Sequence, residues 1–162
     1  MNNLYLKSFI KCKRKAWLDH QGNKSHEIWS PHQSIEIINR YKAFNKLSDG
    51  NLYSGTKACK SGSIGVIGLK ARSKVINNIN AEIQPQLLKK VFGHSKWGEY
   101  KYIPVVYKLG HRTTKEHLFD LAFCSILIEP FQESKIEKGF VISNYLNHIN
   151  IEIIDLNKRL RK

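Results

Sequence analysis

Chemistry in this 162-residue chain has seven histidines, three cysteines and 13 carboxylates to draw on, and few of them stand at a useful spacing. No two of His20, His26, His32, His94, His111, His117 and His148 are four apart, the spacing that puts two imidazoles on one helix face around a metal. Cys12, Cys59 and Cys124 are odd in number and far apart, which argues against a disulfide framework and for a reducing, cytoplasmic setting. A glycine-rich phosphate loop, a zinc-type cysteine pair and a Gly-x-Ser-x-Gly elbow are all absent from the sequence. The informative stretch is 84–129. It reads Gln-Pro-Gln-Leu-Leu, then a turn, then Tyr-Ile-Pro-Val-Val-Tyr-Lys-Leu-Gly-His-Arg, then a helix from Thr114.

The clearer signal is charge. Lys and Arg number 27 against 13 Asp and Glu, a net of +14. Residues 1–81 hold 14 cations and 4 anions, a net of +10, and residues 82–162 hold 13 and 9, a net of +4. A surface this basic attracts polyanions, nucleic acid first among them. The cations fall in groups: Lys11, Lys13, Arg14 and Lys15; Lys57 and Lys60; Lys70, Arg72 and Lys74; and Lys108, His111, Arg112 and Lys115. Lys and Arg in such groups give salt-dependent affinity for a phosphate backbone. Trp29, Trp97 and Tyr100 could stack on bases, although such aromatics more often pack a core. No apolar run approaches the ~20 residues of a membrane span, and residues 1–15 carry no apolar signal core. The expected location is the cytoplasm.

The elements that must position these groups follow from periodicity. A short helix is expected over Ser8–Gln21, ended by Gly22, with Phe9, Cys12, Ala16 and Trp17 as its apolar stripe. A second is expected over Pro31–Leu47, capped by Ser30, with Ile35, Ile38, Tyr41, Phe44 and Leu47 inward. Residues 51–63 read as loop with one helical turn. Strands are expected over Ile64–Lys70, Lys74–Gln84, Leu87–Phe92 and, most strongly, Tyr100–Leu109. A helix then runs to Glu129, where Pro130 stops it, with Leu118, Leu121, Ala122, Ser125 and Ile128 buried. Strands Gly139–Tyr145 and Ile149–Leu156 close the chain. This order predicts an α/β fold (α+β in the looser alternative): a mixed sheet of four or five strands flanked by helices. Residues 1–156 form a single domain and 157–162 a basic tail.

Two stretches resemble a known family. Phe-Ile-Lys-Cys-Lys-Arg-Lys-Ala-Trp-Leu (Phe9–Leu18) resembles the Cys-Pro-Arg-x-x-Trp/Tyr-Leu opening of RecB-like nucleases. Residues 84–129 resemble the core of the same group, which belongs to the PD-(D/E)XK superfamily. The likeness is to a bacterial, cyanobacterial branch related to the CRISPR-associated RecB-like exonucleases, and it covers the N-terminal half of longer relatives. It implies a restriction-endonuclease-like core in which two carboxylates hold Mg²⁺ or Mn²⁺ beside a lysine.

Carried over residue by residue, that pattern is incomplete here. Gln86 stands where the family has its first acid, Val106 where it has the second, and Lys108 is retained. Asp120 and Cys124 stand where a Gln and a Tyr are expected. Lys108, Gln86 and Asp120 are the candidate catalytic residues, with Glu82 and Glu99 as possible replacement acids. Gln and Val bring no charge to a dication, so a degenerate site with no metal is expected. The resemblance implies nucleic-acid binding, DNA before RNA, through Lys11, Lys13, Arg14, Lys15, Lys70, Arg72, Lys108, Arg112 and Lys115. The alternatives are an active Mg²⁺- or Mn²⁺-dependent nuclease with displaced acids, and an assembly module that binds an acidic protein. Cys12 matches a cluster ligand of the CRISPR-associated relatives, but an iron–sulfur cluster normally takes four thiolates and the chain has three, so no cluster is expected and Cys12 reads as a small buried hydrophobe.

Overall fold

A computed structural model describes residues 8–10, 12–21, 31–76, 79–110, 112–145 and 148–157. Gly22, Trp29, Ser30, Lys11, His111 and most of the basic tail (158–162) lie outside the described residues, as does the side chain of Lys74.

The elements are helix α1 (Lys13–Gln21), helix α2 (Pro31–Leu47), strand β1 (Leu52–Ser54), helix α3 (Gly55–Lys60), strand β2 (Gly65–Ile67), the pair β3 (Ala71–Ile76) and β4 (Ile79–Ile83), strands β5 (Leu87–Ser95) and β6 (Gly98–Tyr107), helix α4 (Lys115–Gln132), and strands β7 (Lys138–Tyr145) and β8 (His148–Asp155). The architecture is α/β. One mixed six-stranded sheet has the order β1-β2-β5-β6-β7-β8, and β3 with β4 forms a separate hairpin. The sheet is larger than the four or five strands expected. β1 lies inside the stretch read as loop, and three residues are too few for a period-two pattern to register. Lys74–Gln84, read as one strand, is instead the second half of β3 followed by β4, folded back antiparallel with Arg72 opposite Glu82.

β5 and β6 pair antiparallel along most of their length, from Leu87 with Val105 to Ser95 with Gly98. β6 then pairs parallel with β7 at three positions only: Val105 with Phe140, Val106 with Val141, and Tyr107 with Ile142. Parallel neighbours need a crossover, and α4 supplies it. α4 lies between the sheet and the β3–β4 hairpin, touching β6 and β7 on one side and β3 and β4 on the other. A helix covered on two sides must be apolar around most of its girth. Asp120, Leu121, Phe123, Cys124, Ser125, Leu127, Ile128 and Gln132 are all buried, a wider arc than the single face expected. Gly139 lets β7 approach α4, since a Cβ there would sit 2.9 Å from the Leu121 side chain.

Pro130 does not stop α4, which runs two residues further. A proline this near the C-terminus removes one intrahelical hydrogen bond, and packing offsets that loss. The Phe131 ring meets Trp97 edge-on at 5.5 Å, and Gln132 is fully buried. The Gln132 amide serves the main chain of β6: Tyr102 N–H donates to Gln132 Oε1 at 2.8 Å, and Gln132 Nε2 donates to Tyr102 C=O at 3.1 Å. Tyr102 lies beyond the short stretch that β7 pairs, so Gln132 completes the ladder there.

α2 covers the opposite face. Ala43, Phe44 and Leu47 pack on Leu87, Val105, Tyr107 and Ile142. Its first turns do not pack as expected: Ile35, Ile38 and Tyr41 are each more than half exposed, because α2 meets the sheet through its C-terminal half. The α1 stripe is corrected likewise. Ala16 is buried, but Phe9, Cys12 and Trp17 are exposed.

Gln132→Leu keeps the volume and removes both partners of Tyr102. We expect a loss of about 2–4 kcal/mol, read as a lower denaturation midpoint with unchanged m-value.

Candidate functional site

Strand direction places the basic loops. β1, β2, β6 and β7 all run one way, and β5 and β8 run the other. The segments after β1, β2 and β6 and the start of β5 therefore leave the sheet at one end, outside the carboxyl ends of the parallel strands, where open α/β sheets bind ligands. Lys70 and Arg72 follow β2, Gln86 precedes β5, and Lys108, Arg112 and Lys115 follow β6. Five of the nominated residues thus come to one sheet end with Gln86. Lys13, Arg14 and Lys15 are exposed on α1, with Lys15 paired to Asp19 at 3.2 Å.

Pairing register places the nominated core of the site. Leu87 faces Val105 and Leu88 faces Pro104, so Gln86 continues the ladder opposite Val106. Val106 faces Val141, and Val141 faces Glu152. One lateral row across four strands therefore reads Gln86, Val106, Val141, Glu152, all on the α4 face. Val106 is 2% exposed and belongs to the core. The Gln86 amide is used by the main chain: Tyr107 N–H donates to Gln86 Oε1 at 3.0 Å.

Lys108 stands two residues beyond Val106 on the same face. Its N–H donates to the Ile142 carbonyl at 2.8 Å, which extends the parallel ladder by one residue. Its side chain is only 8% exposed. The ammonium donates to Thr113 Oγ1 at 3.0 Å and to Glu152 Oε2 at 3.3 Å, and the Thr113 hydroxyl also donates to Glu152. A buried ammonium needs a charged or polar partner, and β8 supplies one. Sequence reasoning missed Glu152. In Ile149–Leu156 it reads as one polar position of an alternating strand, 44 residues from Lys108.

Neither acid proposed as a replacement stands in this row. Glu82 pairs with Arg72 at 2.7 Å on the β3–β4 hairpin. Glu99 is exposed at the far end of β6, nine residues from Lys108 or about 30 Å along a strand. Asp120 is buried on α4, 2% exposed, and is not a free carboxylate. Glu152 and Gln86 are three strands apart, roughly 14 Å between main chains, too far to share one small dication. Among the described residues, no group of three or more His, Cys, Asp or Glu stands together.

Other candidates resolve as structure. Tyr100 donates its hydroxyl to the carbonyls of Cys59 and Lys60, and Trp97 meets Tyr102 and Phe131 edge-on, so both aromatics pack rather than wait for bases. Cys12 is exposed, against expectation, whereas Cys59 and Cys124 are buried. Burial pushes the Cys59 thiol up to about 11, which leaves it protonated and unreactive near neutral pH. No helix among the described residues is long and apolar enough to cross a membrane.

No family model matches the chain, and no curated protein matches it in sequence.

Two outcomes are expected. Glu152→Gln should destabilise the protein by about 1 kcal/mol, since Lys108 is buried but Glu152 is 45% exposed and solvent screens the pair. Lys108→Met together with Glu152→Gln should recover most of that loss in a urea titration. The second outcome concerns metal. Gln86→Asp with Val106→Glu puts two carboxylates on adjacent strands on one face, so millimolar Mn²⁺ should raise the melting temperature of the double variant by several degrees and leave the wild type unmoved.

Proposed function

We propose that the protein is a RecB-like nuclease relative that binds nucleic acid, DNA before RNA, at the sheet end bearing Lys70, Arg112 and Lys115, without metal-dependent cleavage, in the cytoplasm. The observation that carries this reading is the gathering of cations outside the carboxyl ends of the parallel strands. The carboxylates there that have assigned partners are internally matched: Glu82 to Arg72 and Glu152 to Lys108. Lys70, Arg112 and Lys115 remain exposed beside them. Phosphates would be held by these cations, and the sequence-independent, salt-sensitive affinity follows from counterion release.

The absence of cleavage rests on charge. Phosphodiester hydrolysis by a dication needs the metal fixed by anionic oxygens so that it acidifies a water and steadies the phosphorane charge. The row Gln86, Val106, Val141, Glu152 holds one carboxylate, and that carboxylate already neutralises the Lys108 ammonium. Lys108 is spent on Glu152 and Thr113 and not aimed at a substrate.

A second reading, docking of an acidic protein, has one observation in its favour. Phe92 is 84% and Ile153 62% exposed around a cavity of about 340 Å³ whose rim carries Lys101 and Lys138 against one acid, Glu137. An apolar patch with a basic rim suits an amphipathic acidic segment.

Fluorescence anisotropy with a labelled oligonucleotide decides between them. We expect a micromolar Kd at 50 mM salt that weakens steeply with added salt. Lys70→Gln, Arg112→Gln and Lys115→Gln should each lower the log–log salt slope by about one. No oligonucleotide binding at 50 mM salt overturns the reading, and a labelled acidic amphipathic peptide that binds the wild type, is lost on Phe92→Ser and is unmoved at the three cations transfers function to the apolar patch.

A further inference from the structure

A cavity of about 530 Å³ opens beside β1, lined chiefly by Asn51, Tyr53, Ser54, Lys57, Ser61 and Ser63. Its volume is in the range of small-molecule sites, roughly 300–1,000 Å³. It belongs to the edge of the sheet, where β1 has a neighbour on one side only. Among the described residues, no carboxylate lines it, and Lys57 is its one charged group. Tyr53 stands in it 58% exposed, at a strand position whose partner, Val66, is buried.

The loop that floors the cavity is built to spare an anion its usual repulsion. Three carbonyls of this loop are tied back into the protein. Tyr100 donates to the Cys59 carbonyl at 3.0 Å, Lys90 to Gly62 at 3.0 Å, and Tyr102 to Ser63 at 2.8 Å. Their lone pairs are thereby engaged from the core side. The hydroxyls are ordered as well: Ser61 Oγ donates to the Ala58 carbonyl at 3.1 Å and lies 3.2 Å from Ser63 Oγ. With the Ser61 proton committed to Ala58, the buried Ser63 hydroxyl donates to Ser61 Oγ, which leaves the exposed Lys57 ammonium as the group that can turn toward an oxyanion. Lys90 also sits over the Tyr100 ring at 4.5 Å, which holds the loop from behind and adds positive charge near it.

The geometry points to a nucleotide site in this cavity, with the Tyr53 ring stacking on a base and Lys57 taking a phosphate. An exposed aromatic ring beside a cation is the combination that a base joined to a phosphate satisfies. The ligand is a nucleoside monophosphate, either free or as the phosphorylated end of a strand. The site shares no residue with Lys70, Arg112 or Lys115, and it stands or falls apart from the sheet-end reading.

Calorimetric titration of the full chain with AMP, adenosine, inorganic phosphate, and one oligonucleotide with and without a 5′-phosphate separates the possibilities. AMP should bind at least tenfold more tightly than adenosine or phosphate. Tyr53→Ala should weaken AMP about tenfold, leave phosphate unchanged, and be rescued by Tyr53→Trp. Lys57→Gln should weaken both AMP and phosphate about fivefold. If AMP fails but the 5′-phosphate strengthens oligonucleotide binding in a way lost on Lys57→Gln, the source is a strand end and the site is upheld. Both residues are exposed, so the variants should melt with the wild type. AMP binding indifferent to both substitutions overturns the site. So does a wild type that binds neither AMP nor the 5′-phosphate.

Discussion

Three residue pairs between β6 and β7 hold the molecule in its arrangement. Val105–Tyr107 of β6 run parallel to Phe140–Ile142 of β7, and that short seam joins the β5–β6 antiparallel pair to the β7–β8 pair. A parallel seam cannot be closed by a tight turn. It requires α4, and α4 in turn requires cover on two sides, from the sheet and from the β3–β4 hairpin. Where the ladders of β6 end, two side chains continue them: Gln132 occupies the open main-chain groups of Tyr102 beyond the seam with β7, and Gln86, on the β5 side, accepts from Tyr107 N–H. Both are amides because each must meet a main-chain polar group away from water, where an unmet donor costs as much as a lost hydrogen bond.

The same seam decides what the candidate site is. It carries Lys108 one residue past the end of β6, with its N–H bonded to Ile142, and it brings β8 close enough for Glu152 to meet the ammonium. The result is an internal cation–anion pair on a scaffold end where metal chemistry would need several anions. Gln86 and Val106 stand opposite one another on adjacent strands, one committed to the backbone and the other to the core. The proposed binding at this end therefore rests on the exposed cations around the pair, whose fields reach a ligand without fixed geometry. Affinity from such cations is tuned by salt and tolerant of sequence.

Much of the fold was legible. Pro31–Leu47, the strong β6 and the last two strands follow from periodicity, with the helix matched residue for residue. What misled was local inference where packing decides. Pro130 reads as a stop, yet Gln132 and Phe131 are held by β6 and Trp97 strongly enough to carry the helix past it. Ile35, Ile38 and Tyr41 continue the inward period of Phe44, yet only the later turns of α2 lie over the sheet. Periodicity tells which side chains share a face, and it carries no information on how far the neighbouring layer extends.

The sequence by itself determined the net charge, the grouping of its cations, the uncharged residues at positions 86 and 106, and the α/β order of elements. These are properties of residues and their near neighbours, and they survive any arrangement of the chain. Tertiary structure alone decided that Lys108 would meet Glu152, that the loops after β2 and β6 would share one end of the sheet, and that Tyr53 and Lys57 would line one cavity. Lys108 and Glu152 are 44 residues apart, with no spacing rule to connect them. Their meeting depends on strand order and register, which are settled by the burial of whole faces and not by any residue in the pair.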